Sequence, residues 1–248
     1  MVRLGSPEPP GISAMTKKFW TVAICAASML LSNQSLLGQG KTVMPFNGKN
    51  LDGWKLKGGK AKSNWTVGKA MMNAESPREL VVRDAKAGEG ELINAKPQGV
   101  DIYTEQKWGD VTIELEFMVP QRSNSGIYVM GEYEIQVLDS YGRERMRPGD
   151  LGGLYGAAAP MKNASKKPGE WQKFVIEFQA PKFEGDKKVA NAKFIKVTLN
   201  GEVIHENVEM KGVTPTGVTE KEAPTGPLMF QGNHDVVAYR NIRITPRN

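Results

Sequence analysis

Three acidic residues and a glutamine follow one another at short intervals in the middle of the chain. Glu132, Glu134, Gln136 and Asp139 lie in a run that is otherwise apolar and rich in strand-forming residues. Because successive side chains of a strand point to opposite faces, Glu132, Glu134 and Gln136 share one face while the intervening residues enter a core. A β-bulge after Gln136 would return Asp139 to the Glu134 side. The pattern predicts a strand with a carboxylate-bearing face.

Such a face is suited to acid–base chemistry on a glycoside. The spacing of Glu134, Gln136 and Asp139 is similar to the Glu-x-Asp-x-x-Glu strand of laminarinase-type glycoside hydrolases, where two carboxylates about 5 Å apart act as nucleophile and acid/base. The chain differs from that pattern at two positions, because Gln136 cannot ionise and Asp139 is shorter than glutamate. Half-solvated strands alternate in the same way, so an ordinary surface strand is the alternative.

Further polar and aromatic residues near this strand are candidates for sugar binding. Asn124 and Ser125 precede the strand and could present an amide and a hydroxyl, although Asn-Ser-Gly is also a sound turn. Arg122 and Arg143 flank the strand and could hold substrate oxygens, with exposed charge as the simpler account. Among the aromatic residues only Tyr141 is retained as a stacking candidate, since aromatic side chains of β-sandwiches usually belong to the core.

His234 is the other candidate for proton transfer, and it is one of only two histidines in the chain. It shares a polar loop with Gln231 between two apolar segments, where it could reach the mouth of a site or simply face solvent. His205 lies in a hairpin, and we expect a structural role for it. The two histidines lack an acidic partner at ligand spacing, and no compact acidic loop of calcium-binding type occurs. We therefore expect no metal and no cofactor.

The elements that must position these residues are strands throughout. Residues 111–119 alternate between apolar and polar side chains, and Asn200-Gly201 favours a two-residue hairpin between residues 194–199 and 202–208. Further strands are predicted over residues 64–67, 70–74, 79–82, 126–130, 171–179, 227–231 and 236–245. We predict no long helix. Many short strands with Gly- and Pro-rich connections indicate an all-β, antiparallel two-sheet jelly-roll sandwich.

The N-terminal 40 residues have the features of a leader. Lys17-Lys18 precede the apolar stretch 19–31, and small residues follow, which predicts a secretory signal peptide starting at Met15. The apolar stretch is too short to span a bilayer comfortably. A single mature domain, 41–248, is therefore expected to be secreted or periplasmic and to contain no membrane span.

Composition narrows the function classes. The only cysteine, Cys25, lies in the predicted leader, so the mature domain must be held by its hydrophobic core. Without the leader, the 33 basic and 27 acidic residues become 30 and 26, which is a mild net charge of +4, and the lysine pairs sit in predicted loops without stacking aromatics. Nucleic-acid binding is therefore not indicated. Residues 149–159 are rich in small side chains but do not match a phosphate-binding loop.

Six motifs in order along the chain resemble the 3-keto-disaccharide hydrolase domain. They cover nearly the whole mature chain, and they are residues 46–54, 124–141, 152–156, 168–171, 199–201 and 228–244. The resemblance implies a concanavalin A-like, glucanase-like jelly roll, secretion, and action on glycosides already oxidised at C3 of a sugar. A ketone at C3 acidifies the proton on C2, so a base can remove it and the substituent at C1 can leave. Addition of water then completes a net hydrolysis.

This implied reaction explains why the strand differs from that of a glucanase. It needs one base, one donor to the enolate oxygen and an acid for the leaving group, but no nucleophile. We predict Glu134 as the base, Gln136 as a contact to sugar hydroxyls and Asp139 as the second acid/base, with Glu132 as the alternate base. A carbohydrate or glycoside is then the only expected partner, and the sequence does not indicate an oligomeric state.

Two other functions remain open at this stage. Sandwiches of this type also occur in lectins, so a non-catalytic carbohydrate-binding module is the alternative from another class. Clustered acids favour an enzyme, whereas a flat aromatic platform would favour a binder. A conventional β-glucanase is the third possibility, and Gln136 argues against it.

Overall fold

The computed structural model describes residues 40–58 and 62–247, so the predicted leader lies outside the described residues except for Gly40. The described residues form fifteen strands and no α-helix. In chain order the strands are β1 (Trp54–Leu56), β2 (Trp65–Met72), β3 (Leu80–Arg83), β4 (Glu91–Asn94), β5 (Ile102–Thr104), β6 (Val111–Met118), β7 (Asn124–Val129), β8 (Tyr133–Leu138), β9 (Gln172–Gln179), β10 (Lys182–Glu184), β11 (Lys187–Ala190), β12 (Ala192–Leu199), β13 (Glu202–Met210), β14 (Met229–Phe230) and β15 (Val237–Pro246).

Two antiparallel sheets make up the sandwich. The first has five strands in the order β1-β5-β14-β7-β8, and the second has eight in the order β13-β12-β9-β6-β15-β4-β2-β3. Strands β10 and β11 form a separate hairpin. The prediction of an all-β, antiparallel jelly-roll sandwich is confirmed.

The core lies between the two sheets and follows the alternation of the sequence. On β6, Ile113, Leu115 and Phe117 are buried, and Phe117 stacks on Phe174 of β9 with 5.1 Å between ring centroids. Each such side chain contributes roughly 1.5–3 kcal/mol when it is removed from water. The odd-numbered residues of β8 enter the same core from the five-stranded sheet, so the even-numbered ones must face away from it.

Turns and boundaries agree with the sequence in part. Asn200 and Gly201 have φ angles of 54° and 87°, and Leu199 pairs with Glu202, as expected for a two-residue hairpin. The two strands predicted over 64–67 and 70–74 are in fact the single strand β2. Gly68 lies within that strand and pairs with Glu91 of β4, and glycine suits the position because a Cβ there would collide with Val82 and with the backbone of Arg83 on β3.

The outer edge of β8 is covered by a loop. The Gln136 amide donates to the Gly153 carbonyl at 2.9 Å, and the Tyr155 amide donates to the Glu134 carbonyl at 3.2 Å. His205, which is buried, has its Nε2 2.7 Å from the Gly152 oxygen and so ties this loop to β13. The backbone of β8 is therefore fixed on both sides.

Candidate active site

Glu134 and Gln136 lie on the face of the five-stranded sheet that points away from the core. Their neighbours Ile135 and Val137 are fully buried between the sheets. Glu134 and Gln136 are nevertheless only 3% and 7% exposed. Polar side chains on an outer face are usually solvated, so a second layer of structure must cover these two.

Strand register gathers more polar residues around them. Gly126 of β7 is opposite Gln136, and Tyr128 is opposite Glu134. The Gln231 amide donates to the Gly126 carbonyl at 2.9 Å, which places Gln231 on the other side of Gly126. Since alternate residues share a face, these side chains lie together with that of Asn124 on the outer side of the sheet.

Four side-chain oxygens on this face are buried without a hydrogen-bond partner among the described residues. They are Glu134 Oε1, Gln136 Oε1, Gln231 Oε1 and Asn124 Oδ1. An unsatisfied buried acceptor is costly, so such groups are rare in folded proteins unless a ligand or water meets them. Several convergent acceptors are suited to a ligand with several hydroxyl donors.

Gly126 leaves room for the Glu134 carboxyl group. A Cβ at this position would collide with Glu134 Oε1 and crowd the rest of the carboxyl group. The carboxyl group of Glu134 therefore lies over Gly126 of β7. Gly126 itself is flanked by Gln136 of β8 on one side and by Gln231, which follows β14, on the other. The glycine of the Asn-Ser-Gly motif has a packing role in the site as well as a role in the backbone.

Burial raises the pKa of Glu134 to about 7 from its ordinary value of 4.5. Desolvation of the carboxylate is the main cause, and the negative charge of Asp101 adds to it, while a hydrogen bond with Tyr128 opposes the rise. A carboxyl group with such a pKa is present in both protonation states near neutral pH. It can therefore accept a proton and release it again, which is what a general base requires.

Asp101 and Lys57 carry the other charges on this face. Asp101 is 4% exposed, and its Oδ1 accepts the Gly232 amide at 3.0 Å. Its Oδ2 is 3.9 Å from Lys57 Nζ. Lys57 also donates to the carbonyls of Thr216 and Gly217, at 2.6 and 2.8 Å.

A loop, residues 214–220, lies beside this face at the edge of β8 and is called the covering loop below. Thr214 Oγ1 accepts the Glu134 amide at 3.1 Å. The Tyr128 hydroxyl lies 3.1 Å from Thr216 Oγ1 and donates to the Pro215 carbonyl at 3.3 Å. The loop is thus bonded directly to the two residues that pair at the centre of the face.

Glu132 holds this loop instead of facing the site. Its Oε1 accepts the amide and the hydroxyl of Thr219, both at 2.8 Å, and its Oε2 accepts the Glu220 amide at 3.0 Å. Both carboxylate oxygens are therefore hydrogen-bonded to the loop. Glu132, predicted as a substrate contact and alternate base, is a loop anchor in this structure.

Asp139 is not brought to Glu134, so the predicted bulge is wrong. Strands β7 and β8 pair without a register shift, from Val129 and Tyr133 to Asn124 and Leu138. The Asp139 carboxylate instead accepts the Arg122 amide at 2.9 Å and the Tyr141 amide at 3.3 Å. Asp139 closes the turn at the end of β8. In the alternation of the strand it belongs with the core residues Ile135 and Val137 and not with Glu134.

Ser125 also lies on the other side of the sheet, and its predicted contact to sugar is corrected. Its side chain is fully buried on the core face, opposite Val137. The hydroxyl donates to the Gln231 carbonyl at 2.8 Å and lies 3.1 Å from the Tyr239 hydroxyl. Ser125 supports the site from within.

The remaining predicted residues are peripheral. Tyr141 is 52% exposed, and Arg122 is exposed in the turn before β7. Arg143 is exposed and pairs with Asp150 at 3.1 Å. His234 is exposed in the loop between β14 and β15, and its carbonyl accepts the Gln98 amide at 2.8 Å.

Sequence reasoning set Tyr128 aside with the other aromatic residues and missed Asp101, Lys57 and the covering loop. The sequence could have indicated Tyr128, because strand alternation in one predicted hairpin places it on the same face as Glu134. Asp101 and Lys57 carry none, because their approach depends on pairing with β14, far along the chain.

Neither a metal-binding cluster nor a membrane-spanning helix is found in the part of the chain that the structure describes. Within residues 40–58 and 62–247, no three His, Cys, Asp or Glu side chains are grouped so that they could hold a metal ion. The same residues contain no helix with the length and apolarity needed to cross a membrane.

Comparison with protein families gives a match over almost the entire described chain. The model of the 3-keto-alpha-glucoside-1,2-lyase-like domain matches residues 41–245. No protein with a curated description matches at a significant level.

Solved structures provide a second comparison. A candidate glycosyl hydrolase from Parabacteroides distasonis ATCC 8503 is 26% identical, with a TM-score of 0.61 over 83% of this chain and 89% of that one. Two further candidate glycosyl hydrolases from the same organism are 18% and 19% identical, with TM-scores of 0.56 and 0.53. They cover 84% of this chain each, and 94% and 100% of their own. These last two share the fold.

Proposed function

Because the chain belongs to the 3-keto-alpha-glucoside-1,2-lyase-like domain family, we propose that it cleaves glycosides that carry a ketone at C3, by removing the proton at C2 and releasing the C1 substituent. Membership and the resemblance to a candidate glycosyl hydrolase indicate a carbohydrate-active protein that acts on glycosides. The proposal adds two specific points, namely a substrate with a ketone at C3 and cleavage by elimination. The family supports both, because its name describes a 1,2-lyase that acts on a 3-keto-alpha-glucoside.

One observation carries the proposal: a buried carboxyl group with a pKa near 7 lies among unpaired acceptor oxygens. The pKa suits Glu134 as a base at neutral pH. The amide oxygens of Gln136, Gln231 and Asn124 suit the hydroxyl groups of a sugar ring. A sugar lying over Gly126 would meet all of them at once.

The proposed step balances without a covalent intermediate. Glu134 takes the C2 proton, and the electron pair of that C–H bond forms the C1=C2 double bond conjugated with the ketone. The C1–O bond breaks, and the leaving oxygen takes a proton. Water then adds across the double bond in the hydrolytic variant of the reaction. Tyr128 and the amide side chains are neutral groups on the same face that can donate to the oxygen at C3.

A retaining glucanase mechanism is disfavoured by the same geometry. That mechanism needs two carboxyl groups about 5 Å apart on the two sides of the bond that is cut. The second carboxylate of the predicted pair, Asp139, alternates with Glu134 along the chain and so belongs to the opposite face, and it is bonded to backbone amides. Glu132 is bonded to the covering loop.

The test is turnover of matched substrates. The protein should cleave a 3-keto-glucoside and leave the unoxidised parent glucoside intact. Glu134→Gln should lower turnover of the 3-keto-glucoside by about 10²–10⁴-fold, the usual worth of a general base. Glu144→Gln, a change of the same kind at an exposed position, should have no effect. Equal cleavage of both sugars, or full activity of Glu134→Gln, would overturn the proposal.

A further inference from the structure

Tyr155 is an aromatic residue beside Glu134, on the outer edge of β8. Ile135 of β8 forms an antiparallel bridge with Leu154, and the Tyr155 amide donates to the Glu134 carbonyl at 3.2 Å. This pairing places Tyr155 directly opposite Glu134, on the edge of β8 that does not face β7. Directly opposed residues of antiparallel strands have Cβ atoms about 4.5–5.5 Å apart. Tyr155 is therefore the next residue across the sheet from the proposed base.

The side chain of Tyr155 belongs to the same face of the sheet as that of Glu134. Leu154 is fully buried and is part of the core between the two sheets. Successive residues of an extended segment point to opposite faces, so Tyr155 points away from the core. Its exposure of 46% agrees with this placement. An exposed aromatic ring thus lies one strand away from the buried carboxyl group.

A cavity of about 430 Å³ borders this ring. It is lined by residues 155–157 and by residues 209–213 and 215. Thr214, which lies between lining residues, accepts the Glu134 amide through its Oγ1 at 3.1 Å. The two segments that line the cavity are therefore the ones that hydrogen-bond to the main chain of Glu134 at this edge. Ligand sites have volumes of about 300–1,000 Å³, so the cavity can hold a small group.

The lining of the cavity is mainly apolar. Besides Tyr155, the larger apolar side chains are those of Met210, Val213 and Pro215. The charged lining residues, Glu209 and Lys211, are both exposed, so the cavity does not present a buried charge to an anion. An aromatic ring next to aliphatic side chains is suited to a ring with a flat apolar face.

The chemistry of the proposed reaction indicates which part of the substrate lies here. The carboxyl group of Glu134 lies over Gly126 of β7, whereas Tyr155 is on the opposite edge of β8. The bond that breaks is at C1, next to the carbon from which Glu134 takes the proton. The C1 substituent is therefore the part of the substrate outside the sugar ring that begins closest to this carboxyl group.

We propose that Tyr155 and the adjoining cavity form the subsite for the C1 substituent, and that this subsite takes a ring with a flat apolar face. Both an aryl group and the apolar face of a second sugar have this chemistry. The inference rests on the proposed function, which places the reacting sugar over Gly126.

Three 3-keto-glucosides that differ only in the C1 group, namely methyl, phenyl and glucosyl, test the subsite. Tyr155→Ala should lower kcat/KM about 3–10-fold for a ring that stacks on Tyr155, and by less than about twofold for methyl. Each variant is compared with the wild-type protein on the same substrate, so differences in leaving-group reactivity cancel. Tyr141→Ala removes another exposed tyrosine, 52% exposed and peripheral to the site, and should change none of the three rates.

The pattern of losses decides the result. A loss confined to phenyl identifies an aryl group as the occupant, and a loss confined to glucosyl identifies a second sugar. Losses on both rings show that the subsite accepts either one. Equal losses on all three substrates, or no loss on either ring, would overturn the inference.

Filling the cavity gives a second variant that leaves Tyr155 in place. Gly212 lines the cavity, its φ lies outside the left-handed region, and a Cβ there would meet nothing within 4 Å. Gly212→Leu should therefore lower kcat/KM for the same ring substrate and spare the methyl substrate. Gly149→Leu, also at a position where a Cβ meets nothing within 4 Å, is the control outside the cavity. Undiminished turnover of the ring substrate by Gly212→Leu would contradict the assigned subsite.

Binding of the unoxidised parent glucosides separates the subsite from the proposed reaction. Calorimetry on the wild-type protein should give a Kd about 3–10-fold lower for a ring-bearing parent than for methyl glucoside, and Tyr155→Ala should remove that difference. If the wild-type protein cleaves no 3-keto-glucoside, the proposed reaction fails, whereas these Kd values still decide the subsite. Equal Kd values for all the parent glucosides would overturn it.

Discussion

Glu132 and Glu134 are two residues apart on the chain and have opposite environments. Both are almost completely buried. Glu132 accepts two amides and a hydroxyl, so its charge is compensated by donors. Glu134 Oε1 has no partner among the described residues, and the pKa of Glu134 rises to about 7 mainly because burial removes the carboxylate from water. The number of donors around each carboxylate distinguishes the anchor from the candidate base.

The raised pKa of Glu134 predicts a dependence of stability on pH. The folded carboxyl group titrates near 7, whereas the unfolded one titrates near 4.5. Between these values the folded state binds the extra proton, so the free energy of unfolding should fall as the pH rises from 4.5 to 7. Glu134→Gln should flatten this decline in thermal or denaturant melts. A wild-type protein whose stability is level or rising over that window, relative to the variant, would contradict the assigned environment.

Strand pairing decides which predicted residues meet. Alternation within β8 was sufficient to place Glu134 and Gln136 on one face, and Gln231 and Asn124 lie on the same face by the register of β14 and β7. The predictions for Ser125 and Asp139 assumed a projecting turn and a bulge, respectively. The continuous pairing of β7 with β8 excludes both. Asp101 could not be predicted because its position follows from pairing between β5 and β14.

The same lesson applies to the fold itself. Long alternating strands such as β6 and β9, and the Asn200-Gly201 hairpin, follow from periodicity and turn chemistry. The short strands β1 and β5 have three residues each and no alternation to detect. They exist because neighbouring strands offer hydrogen bonds, which a local pattern does not record.

Gly126 provides a test at the level of this hairpin. Gly126→Ala should displace the Glu134 carboxyl group, since the new methyl group would occupy its place. We expect turnover of a 3-keto-glucoside to fall by at least tenfold, with the fold retained because a side-chain end can move. Gly149→Ala, where a Cβ would meet nothing within 4 Å, is the control. Unaltered kinetics of Gly126→Ala would mean that the carboxyl group does not act from above this glycine.

At the scale of the whole molecule, the sandwich separates stability from function. The inner faces of both sheets form a continuous apolar core, and the polar cluster lies on the outer face of the smaller sheet, next to the covering loop. Substitutions in the cluster should therefore affect chemistry more than folding. Strands that are hydrogen-bonded on both edges also hold Glu134 and Gln136 more rigidly than loops would.

The N-terminal leader belongs to this scale, and its removal remains a prediction. If residues 1–40 act as a secretory signal, the exported protein should begin close to residue 41 and be recovered outside the cytoplasm. Intact-mass spectrometry of the exported protein would measure this directly. Recovery of the full-length chain with its original N-terminus would refute the predicted leader.

The central claim, that Glu134 removes the C2 proton, is tested most directly by reaction in deuterated water. A brief incubation with a 3-keto-glucoside should give a hexose product that carries solvent deuterium at C2, because water is added after the proton has left. NMR of the quenched product measures this, with product incubated without enzyme as the baseline for spontaneous exchange. The account predicts C2 deuterium well above that baseline for the wild-type protein and almost no product from Glu134→Gln. A product that keeps its original C2 hydrogen would contradict it.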